Sequence, residues 1–473
     1  MLQRSIVRHQ RGRTGSPVTT RGAPYTISVI GNTALPASSP AFATGLSAQL
    51  TADAESFPLQ IAKGPEKRRH PLRAEGFRAT SPAMHVKTLI LGAGAAGMMA
   101  AAHAGPGTLV VDHAKAPGEK IRISGGGRCN FTNLQTDPTR FISRNPHFAK
   151  SALSRYTQWD FIALVDAHGI AHHEKTLGQL FCDGSAKQIV QMLRDEMARA
   201  GAELWLETSV GDVAHDGRFR APLTRAGRET LVTADHLVLA TGGKSIPKMG
   251  ATDLAYRIAD RFGLGIVTPR PGLVPFTFTD DRFVPLAGTA LPTRVTAQGP
   301  AFAEATLFTH RGLSGPAILQ ASSYWTEGAE ITLDLSPGVA LADALLAAKR
   351  DDGRKSLTTI LSRHLPARLV QYLASAWPSA TMAAIADTTL RDLAASLHQW
   401  RLTPSGTEGY RTAEVTLGGI DTDALNSRTM EAKAVPGLFA IGEAVDVTGW
   451  LGGYNFQWAW SSGWAAGTAI AAR

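Results

Sequence analysis

The chain contains very little cysteine. Cys129 and Cys182 are the only two cysteines in 473 residues, which excludes the dense disulfide framework of small secreted proteins. The sequence also lacks the apolar core of a secretory signal. We therefore predict a protein of a reducing compartment, the cytoplasm.

Long hydrophobic segments are missing as well. One uncharged stretch, residues 88–111, carries no Lys, Arg, Asp or Glu, but it contains five glycines and one proline. A strand, a glycine turn and a helix explain such a stretch better than a bilayer-spanning helix does. We therefore expect no membrane partner.

Several motifs of phosphate and metal chemistry are absent. The sequence has no P-loop, no H-E-x-x-H and no clustered Cys/His pattern, so P-loop nucleotide hydrolysis and the common zinc sites are disfavoured. We predict no metal site. No second G-x-G-x-x-G opens another βαβ unit, so a dedicated NAD(P)H domain is not expected.

Acidic residues are scarce in the first part of the chain. Residues 1–83 hold 11 basic and 4 acidic residues of a chain whose formal charge is +9. From Met84 onward the balance is only +2, so the charge of residues 84–473 does not indicate RNA binding, although RNA stays possible. Residues 1–83 have the composition of a disordered segment. A start assigned upstream of Met84, a transit or regulatory tail and a basic binding arm all stay open.

A dinucleotide-binding opening begins the remainder of the chain. Residues 87–97 read K-T-L-I-L-G-A-G-A-A-G, a strand followed by a glycine turn and a helix. In G-x-G-x-x-G the first glycine allows the tight turn, the second lets the backbone approach a pyrophosphate, and the third permits close helix packing. An acid at the end of the next strand would accept hydrogen bonds from a ribose. The binding residues predicted here are Gly92, Gly94, Ala95, Ala96, Gly97 and Asp112.

Two later strand-turn segments favour FAD over NAD. The strand 237–240 ends in T-G-G, and residues 437–446 read G-L-F-A-I-G-E-A-V-D, which resembles the segment that holds the ribityl chain in several flavoproteins. The two ends of the site are far apart in sequence, so we expect one cofactor domain built from separated halves. The predicted contacts are Thr241, Gly242, Gly243, Gly442 and Glu443.

A glycine turn precedes the last predicted helix, residues 457–471. Backbone amides of this turn could meet the pyrimidine edge of a flavin, where reduction develops negative charge. The alternative is an ordinary turn in which Asn455 caps the helix. The predicted contacts are Gly452, Gly453, Tyr454 and Asn455.

Residues 120–133 read K-I-R-I-S-G-G-G-R-C-N-F-T-N, and the glycine triplet predicts a loop. Its two cations could balance flavin or pyrophosphate charge or could be solvated. Its cysteine is either a packed small residue or a thiol at the flavin. The predicted contacts are Lys120, Ser124, Gly126, Gly127, Arg128, Cys129 and Asn130.

The remaining pattern predicts an interrupted α/β protein. Residues 271–335 favour strands, and residues 340–400 have helical spacing. The predicted boundaries are 1–83 for the N-terminal extension, 84–270 for the first part of the FAD domain, 271–337 for a β-rich insert, 338–398 for a helical subdomain, 399–412 for the return through the β-rich domain, and 413–473 for the second part of the FAD domain.

Four segments carry a family resemblance: residues 123–133, A-T-G-G-K-S-I-P at 240–247, F-T-H-R-G-L-S-G-P-A-I-L at 308–319, and G-E-A-V-D-V-T-G-W-L-G-G-Y-N-F-Q at 442–457. Together they resemble the BaiN-like flavoproteins, also called aminoacetone-oxidase-like NAD(P)/FAD-dependent oxidoreductases. The resemblance covers residues 84–473. It implies a Rossmann-type FAD-binding domain interrupted by a β-barrel-like domain with a helical insert.

We therefore expect an FAD-dependent oxidoreductase that transfers hydride between the flavin and a small-molecule substrate, with NAD(P)H as transient reductant. Two alternatives stay open. One is reduction of uridine to dihydrouridine in ribosomal RNA, an activity associated with the family, and the other is a flavin-binding sensor without turnover. Candidate catalytic residues are Cys129, His310 and Arg311. The sequence does not indicate an oligomeric state.

Overall fold

The computed structural model describes residues 84–473. The predictions made for residues 1–83 lie outside the described residues. Among those that are described, no helix is both long and apolar enough to cross a membrane.

The strands, numbered in chain order, are β1 (Met84–Leu91), β2 (Thr108–Val111), β3 (Asn130–Asn133), β4 (Phe141–Ile142), β5 (His172–Glu174), β6 (Gln179–Cys182), β7 (Glu203–Trp205), β8 (Thr208–Val210), β9 (Ala214–His215), β10 (Phe219–Arg225), β11 (Arg228–Leu239), β12 (Ile266–Gly272), β13 (Phe276–Thr277), β14 (Ala290–Thr296), β15 (Phe302–Thr309), β16 (Gly312–Ser314), β17 (Ile331–Asp334), β18 (Trp400–Leu402), β19 (Gly406–Thr407), β20 (Val415–Ile420), β21 (Leu438–Ala440) and β22 (Thr448–Gly449). The α-helices are α1 (Ala95–Ala104), α2 (Glu119–Gly127), α3 (Lys150–Arg155), α4 (Gln158–Ala167), α5 (Lys187–Arg199), α6 (Leu254–Arg261), α7 (Pro316–Ser322), α8 (Leu341–Asp351), α9 (Leu357–Leu361), α10 (Ala367–Leu373), α11 (Asp387–His398) and α12 (Tyr454–Ala471).

The first large sheet has the order β7-β2-β1-β11-β10-β8, and β21 pairs with β11. The pairs among β7, β2, β1, β11 and β21 are parallel. Leu89, Ile90 and Leu91 are almost completely buried, as expected for a parallel strand with layers on both faces. Because Leu237 pairs with Leu438, the C-terminal segment extends the sheet that β1 begins.

Helices α1 and α12 pack against each other in close contact. A Cβ atom added to Gly463 of α12 would lie 2.6 Å from the carbonyl oxygen of Ala96, and one added to Gly467 would lie 2.5 Å from that of Ala100. Glycine at these two positions therefore lets the two backbones approach each other. This contact brings the N-termini of both helices to the same side of the sheet, where their first residues share one cavity.

The second large sheet has the order β18-β17-β14-β15-β16-β13-β19 and is antiparallel throughout. Burial alternates strictly along β14, which is typical of a sheet with one face on a core. That core contains Phe276, Phe308 and Leu333 of the strands together with Leu345 and Leu390 of the helices α8 and α11. Strands β12 and β20 form a separate antiparallel ribbon.

The α/β fold class is confirmed. Strands β13 to β17, helices α8 to α11 and strands β18 and β19 follow one another in the predicted order. The domain boundaries drawn from the sequence stay predictions. The prediction of one loop over residues 120–133 is wrong at both ends, because α2 begins at Glu119 and β3 at Asn130. The non-helical turn lies inside α2, where Gly125 and Gly126 have φ values of 57° and 67°.

Candidate functional site

A cavity of about 760 Å³ lies at the carboxyl edge of the parallel strands. The turns that follow β1, β11 and β21 all reach its wall, the place where open α/β sheets bind ligands. The predicted cofactor-binding residues on the wall are Gly92, Gly94, Ala95, Ala96, Asp112, Lys120, Ser124, Gly126, Asn130, Thr241, Gly242, Gly243, Gly442, Glu443, Gly452, Gly453 and Asn455. The structure thus brings both ends of the predicted site together, while the binding roles of these residues stay predictions.

The glycine turn after β1 has the geometry that its sequence predicts. A Cβ atom on Gly92, whose φ is 110°, would lie 2.4 Å from the carbonyl oxygen of Ala240, and one on Gly97 would lie 1.9 Å from that of Gly92. A Cβ atom on Gly94 would meet nothing within 4 Å. No side chain caps the N-terminus of α1, so its first amides are free to bind an anion in the cavity.

Asp112 follows β2 and supports this turn. Its carboxylate oxygens accept hydrogen bonds from the backbone amides of Ala93, at 2.7 Å, and Ala114, at 2.9 Å. A smaller cavity of about 210 Å³ shares Gly92, Asp112 and Thr241 with the large one. Asp112 therefore stands between the two spaces, where its remaining lone pairs could accept hydroxyl hydrogen bonds.

Glu443 and Lys120 form an ion pair on the wall. Lys120 Nζ lies 2.7 Å from Glu443 Oε2 and 2.6 Å from Ser245 Oγ. Glu443 Oε1 also accepts hydrogen bonds from Ser245 Oγ and from the backbone amide of Thr416. Burial alone would raise the pKa of Glu443, but the Lys120 ammonium and these hydrogen bonds outweigh burial and lower it. Lys120 is therefore not a free cation but the partner that keeps Glu443 ionised.

The turn before α12 forms another part of the wall. Asn455 does not cap α12, because its side chain accepts from the amide of Gly449 and donates to the carbonyl of Gly449, both at 2.8 Å. The N-terminus of α12 has no side-chain cap. The Tyr454 side chain is buried, and its hydroxyl accepts a hydrogen bond from Arg140. The backbone of this turn lines the cavity, as does Asn455, but Tyr454 does not.

Two polar atoms on the wall have no hydrogen-bond partner among the described residues. They are Asn130 Oδ1 and Thr241 Oγ1, both buried. The other end of the Asn130 amide is fixed, since Nδ2 donates to Gln179 Oε1 at 2.9 Å. A buried acceptor or hydroxyl without a partner costs free energy, so both atoms favour a polar ligand in the cavity.

Five predicted contacts lie off the wall: Gly97, Gly127, Arg128, Cys129 and Tyr454. The Arg128 side chain is exposed, and Cys129 is completely buried. Burial raises the pKa of the Cys129 thiol well above its ordinary value, which makes the thiolate inaccessible. Both cysteines are free and buried. The structure therefore places Cys129 as a packed small residue.

The other two candidate catalytic residues are also outside the cavity. His310 and Arg311 form the exposed turn between β15 and β16. The Arg311 guanidinium lies 3.8 Å from the Glu408 carboxylate. Strand β15 lines the cavity near its start, at Glu304, whereas the turn with His310 and Arg311 follows the end of that strand. The turn therefore lies away from the wall. No group of three or more His, Cys, Asp or Glu side chains in residues 84–473 could hold a metal ion.

Several wall or network residues were not predicted as site residues. Ser245 and Thr416 hold Glu443, Trp450 and Leu451 line the cavity, and Glu304 and Glu414 place carboxylates on the wall. The segments that carry the family resemblance include Ser245, Trp450 and Leu451. The resemblance could therefore have identified these three as site residues. Glu304 lies in an alternating strand and had no local signal, since its position follows from the packing of the second sheet.

The family model of the HI0933-like protein Rossmann domain matches residues 86–469. The chain belongs to the HI0933-like family. Two relatives are named ribosomal RNA dihydrouridine synthase. The one from Escherichia coli (strain K12) is 52% identical over 386 residues, which are 80% of this chain and 96% of the relative. The one from Haemophilus influenzae is 47% identical over 395 residues, 81% of this chain and 98% of the relative.

A more distant relative is the 3-dehydro-bile acid delta(4,6)-reductase of Clostridium scindens, 27% identical over 411 residues, 81% of this chain and 98% of the relative. The resemblance to BaiN-like flavoproteins is therefore confirmed only at the level of the wider oxidoreductase family. The chain is an enzyme with a flavin-oxidoreductase type of fold, and the alternative of a sensor without turnover is wrong.

The expectations about substrate and partner need correction. A small-molecule substrate was the main prediction, and the charge of residues 84–473 was taken to give no indication of RNA. Both are wrong, because the two relatives at 52% and 47% identity carry the name of a ribosomal RNA enzyme. Net charge is an average over the whole surface, whereas nucleic-acid binding depends on where the cations lie. The small net charge of residues 84–473 therefore does not exclude RNA binding.

Proposed function

We propose that the protein reduces a uridine of ribosomal RNA to dihydrouridine, using a bound FAD. The observation that carries this proposal is the identity of 52% and 47% to two ribosomal RNA dihydrouridine synthases, over 96% and 98% of their lengths. A shared fold alone does not imply a shared reaction, but this similarity extends over almost the whole length of both relatives.

The cavity fits FAD. Its volume of about 760 Å³ is in the range of small-molecule sites, about 300–1,000 Å³. Two helix N-termini without side-chain caps reach the wall, those of α1 and α12. Open space lies over Gly94, and Asn130 Oδ1 and Thr241 Oγ1 are buried without partners among the described residues. Phosphates and the polar atoms of the ribityl chain and flavin would satisfy these groups.

The proposed contacts follow the order of the wall. Amides of the glycine turn and α1 would bind the pyrophosphate, Asp112 a ribose, and the T-G-G turn and Gly442 the ribityl chain. The N-terminus of α12 would stabilise negative charge on the pyrimidine edge. When bound, the cofactor supplies hydride chemistry, and the protein orients the reacting groups. We include NAD(P)H as transient reductant, which would enter this same cavity because no second dinucleotide motif opens a βαβ unit.

A group of cations near the cavity supports RNA as substrate. We define the basic rim as Arg122, Arg128, Lys175, Lys244 and Lys248. Each is a wall residue or lies within two residues of one, and none forms a salt bridge with another described residue. Lys175 and Lys244 lie over the rings of Phe181 and Tyr410, but no described carboxylate neutralises any of the five cations, so their charge is available for phosphates. A cytoplasmic location belongs to this proposal, because it is where the enzyme would meet ribosomal RNA.

The test is dihydrouridine in ribosomal RNA. RNA from a strain lacking the gene is expected to lose a dihydrouridine that returns when the wild-type gene is supplied. Purified holoenzyme, reduced anaerobically, is expected to form dihydrouridine in unmodified ribosomal RNA transcribed in vitro. An unchanged dihydrouridine content in the deletion strain, together with no product from the purified enzyme, would contradict the proposal.

A further inference from the structure

Two carboxylates on the cavity wall come from segments outside the predicted cofactor contacts. Glu304 lies on β15, and Glu414 directly precedes β20. Leu273 and Pro316 line the same cavity, and the backbone of Leu273 is hydrogen-bonded to that of Glu414. A substrate that lies against a flavin in this cavity would contact this part of the wall.

The other wall carboxylates have different surroundings. Asp112 accepts two backbone amides, and Glu443 is paired with Lys120 and kept ionised. Glu119 is the first residue of α2, directly before Lys120. The carboxylates of Asp112 and Glu443 are thus already held by protein donors next to the predicted cofactor contacts. Glu304 and Glu414 lie on the wall outside these contacts and are the candidates for proton transfer.

Glu304 is held in place by a neighbour. Gln320 Nε2 donates to Glu304 Oε1 at 2.6 Å, and Gln320 Oε1 accepts from the backbone amide of Leu451 at 3.1 Å. The Glu304 carboxylate is thus tied through Gln320 to the turn that precedes α12. Burial raises the pKa of Glu304 as well, but the hydrogen bond to Gln320 suits a residue that positions the turn.

Glu414 has no side-chain hydrogen bond or salt bridge with any residue in the described range 84–473. Its backbone amide donates to the carbonyl of Leu273 at 3.2 Å, which fixes the residue on the wall. Glu414 is an exposed residue by its accessible surface, and desolvation by the protein atoms around its carboxyl group raises its pKa. A carboxyl group in such surroundings stays protonated at higher pH than an ordinary glutamate.

We infer that Glu414 is the acid that protonates C5 of the uracil ring. This inference rests on the proposed function. The C5=C6 bond of uracil is conjugated with the C4 carbonyl, so hydride adds to C6 and a proton to C5. The new C6–H bond takes both electrons of the hydride, which reduced flavin supplies. The new C5–H bond takes the proton of the Glu414 carboxyl group, the π bond is lost, and the Glu414 carboxylate regains a proton from water.

The first test follows oxidation of the reduced holoenzyme by RNA. The flavin is reduced anaerobically with dithionite, and the enzyme is mixed with unmodified ribosomal RNA transcribed in vitro. Glu414→Gln is expected to slow flavin oxidation by about 100- to 10,000-fold, with flavin content and RNA affinity unchanged. The wild-type rate falls as pH rises and Glu414 loses its proton, and the variant lacks this pH dependence. Glu330→Gln is the matched control, because Glu330 lies off the wall and pairs with Arg401.

The second test needs no turnover. A group whose pKa is raised in the folded state stabilises the fold below its unfolded pKa, and this contribution is lost as pH rises through the folded pKa. The wild-type holoenzyme should therefore lose stability relative to Glu414→Gln as the pH rises above about 4.3, the ordinary pKa of glutamate. The Tm of the variant minus that of the wild type is expected to increase over this range, while Glu330→Gln shows no such trend.

The outcomes separate the two proposals. If the wild-type enzyme forms dihydrouridine and Glu414→Gln oxidises at the wild-type rate with the wild-type pH profile, the role of Glu414 is refuted and the proposed function stands. The same holds if Glu304→Gln, and not Glu414→Gln, loses the pH dependence. A wild-type holoenzyme that forms no dihydrouridine would refute the proposed function, and the role of Glu414 with it.

Discussion

At the scale of single residues, three glycines within one turn have three different physical reasons to be glycine. Gly92 needs its positive φ and the close approach to Ala240, and Gly97 needs the close approach to Gly92. Gly94 meets no protein atom that would exclude a side chain, and it has an ordinary φ of −81°. The fold therefore does not require glycine at this position, which agrees with the proposed approach of a pyrophosphate.

Alanine substitutions at Gly97 and Gly94 should therefore have different effects, one on stability and the other on FAD binding. Gly97→Ala should destabilise the fold by about 1–3 kcal/mol, because a Cβ atom would overlap the Gly92 carbonyl oxygen. Gly94→Ala should leave the Tm of flavin-free protein unchanged and weaken FAD binding. Thermal melting and FAD titration measure the two effects. Tight FAD binding by Gly94→Ala would contradict the proposed pyrophosphate position.

The ion pair on the wall gives a second prediction at this scale. Lys120→Met removes the cation that lowers the pKa of Glu443, leaving a half-buried carboxylate without its ammonium. Because the pKa of Glu443 is lowered in the fold, its contribution to stability is present above the unfolded pKa and is lost as pH falls. The variant should be less stable by about 1–3 kcal/mol near pH 7, and the difference should shrink toward pH 4.

Melting curves at several pH values measure this difference. Lys355→Met is a suitable control, because Lys355 pairs with Asp352 on the surface, where solvent screens the interaction. If the stability loss had the same pH dependence in both variants, the Lys120–Glu443 pair would contribute no more to stability than a surface ion pair.

At the scale of elements, the site depends on how α1 and α12 pack. Each helix brings an N-terminus without a side-chain cap to the same cavity, and the glycines of α12 allow the close contact that places them there. The sequence of α12 has no distinct apolar face that would predict this packing, because the helix is buried on most sides.

Gly463→Ala tests this contact. The added Cβ atom would lie 2.6 Å from the Ala96 carbonyl oxygen, so the two helices must separate. We expect a loss of about 1–3 kcal/mol and weaker FAD binding, measured by melting and titration. Thr468→Ala on the same helix, a half-buried position, is the control and should change stability by no more than about 0.5 kcal/mol. Normal FAD binding by a folded Gly463→Ala protein would contradict a dependence on helix spacing.

At the scale of the whole molecule, the large cavity draws its wall from both ends of residues 84–473 and from the inserted segments. The first sheet supplies the turns after its parallel strands, the inserted segments supply Glu304 and Pro316, and the segment before β20 supplies Glu414. The basic rim adds cations next to the same cavity. The arrangement suits a large anionic substrate that presents one small reacting group.

Salt dependence of RNA binding tests the rim. The double variant Lys175→Gln, Lys248→Gln should weaken binding to unmodified ribosomal RNA. Its plot of log affinity against log salt should be less steep by about 0.7–0.9 for each lost phosphate contact. Lys355→Gln, Lys433→Gln removes the same charge away from the wall and should leave the slope unchanged. An identical slope for both double variants would exclude the rim as the RNA contact.

Much of the cofactor side could be predicted from the sequence, because it depends on local backbone geometry. The glycine turn, the T-G-G turn and the turn before α12 are fixed by residues a few positions apart, and most of their predicted contacts do lie on one wall. The wrong predictions concern residues whose surroundings are formed by segments that are distant in the sequence. Cys129 is next to the glycine triplet yet points into the core, and His310 and Arg311 are in a resembling segment yet lie on an exposed turn.

Periodicity and turn residues act over short distances, so they predict the α/β class, the glycine turn after β1 and the order of the elements along the chain. Which charges have partners depends instead on how the whole chain folds. Lys120 and Glu443 are 323 positions apart, and Glu304 and Glu414 reach the cavity through the packing of separate elements. The protonation state of a group depends on its burial and its neighbours in space, so the chemistry of this wall became visible only when the chain was folded.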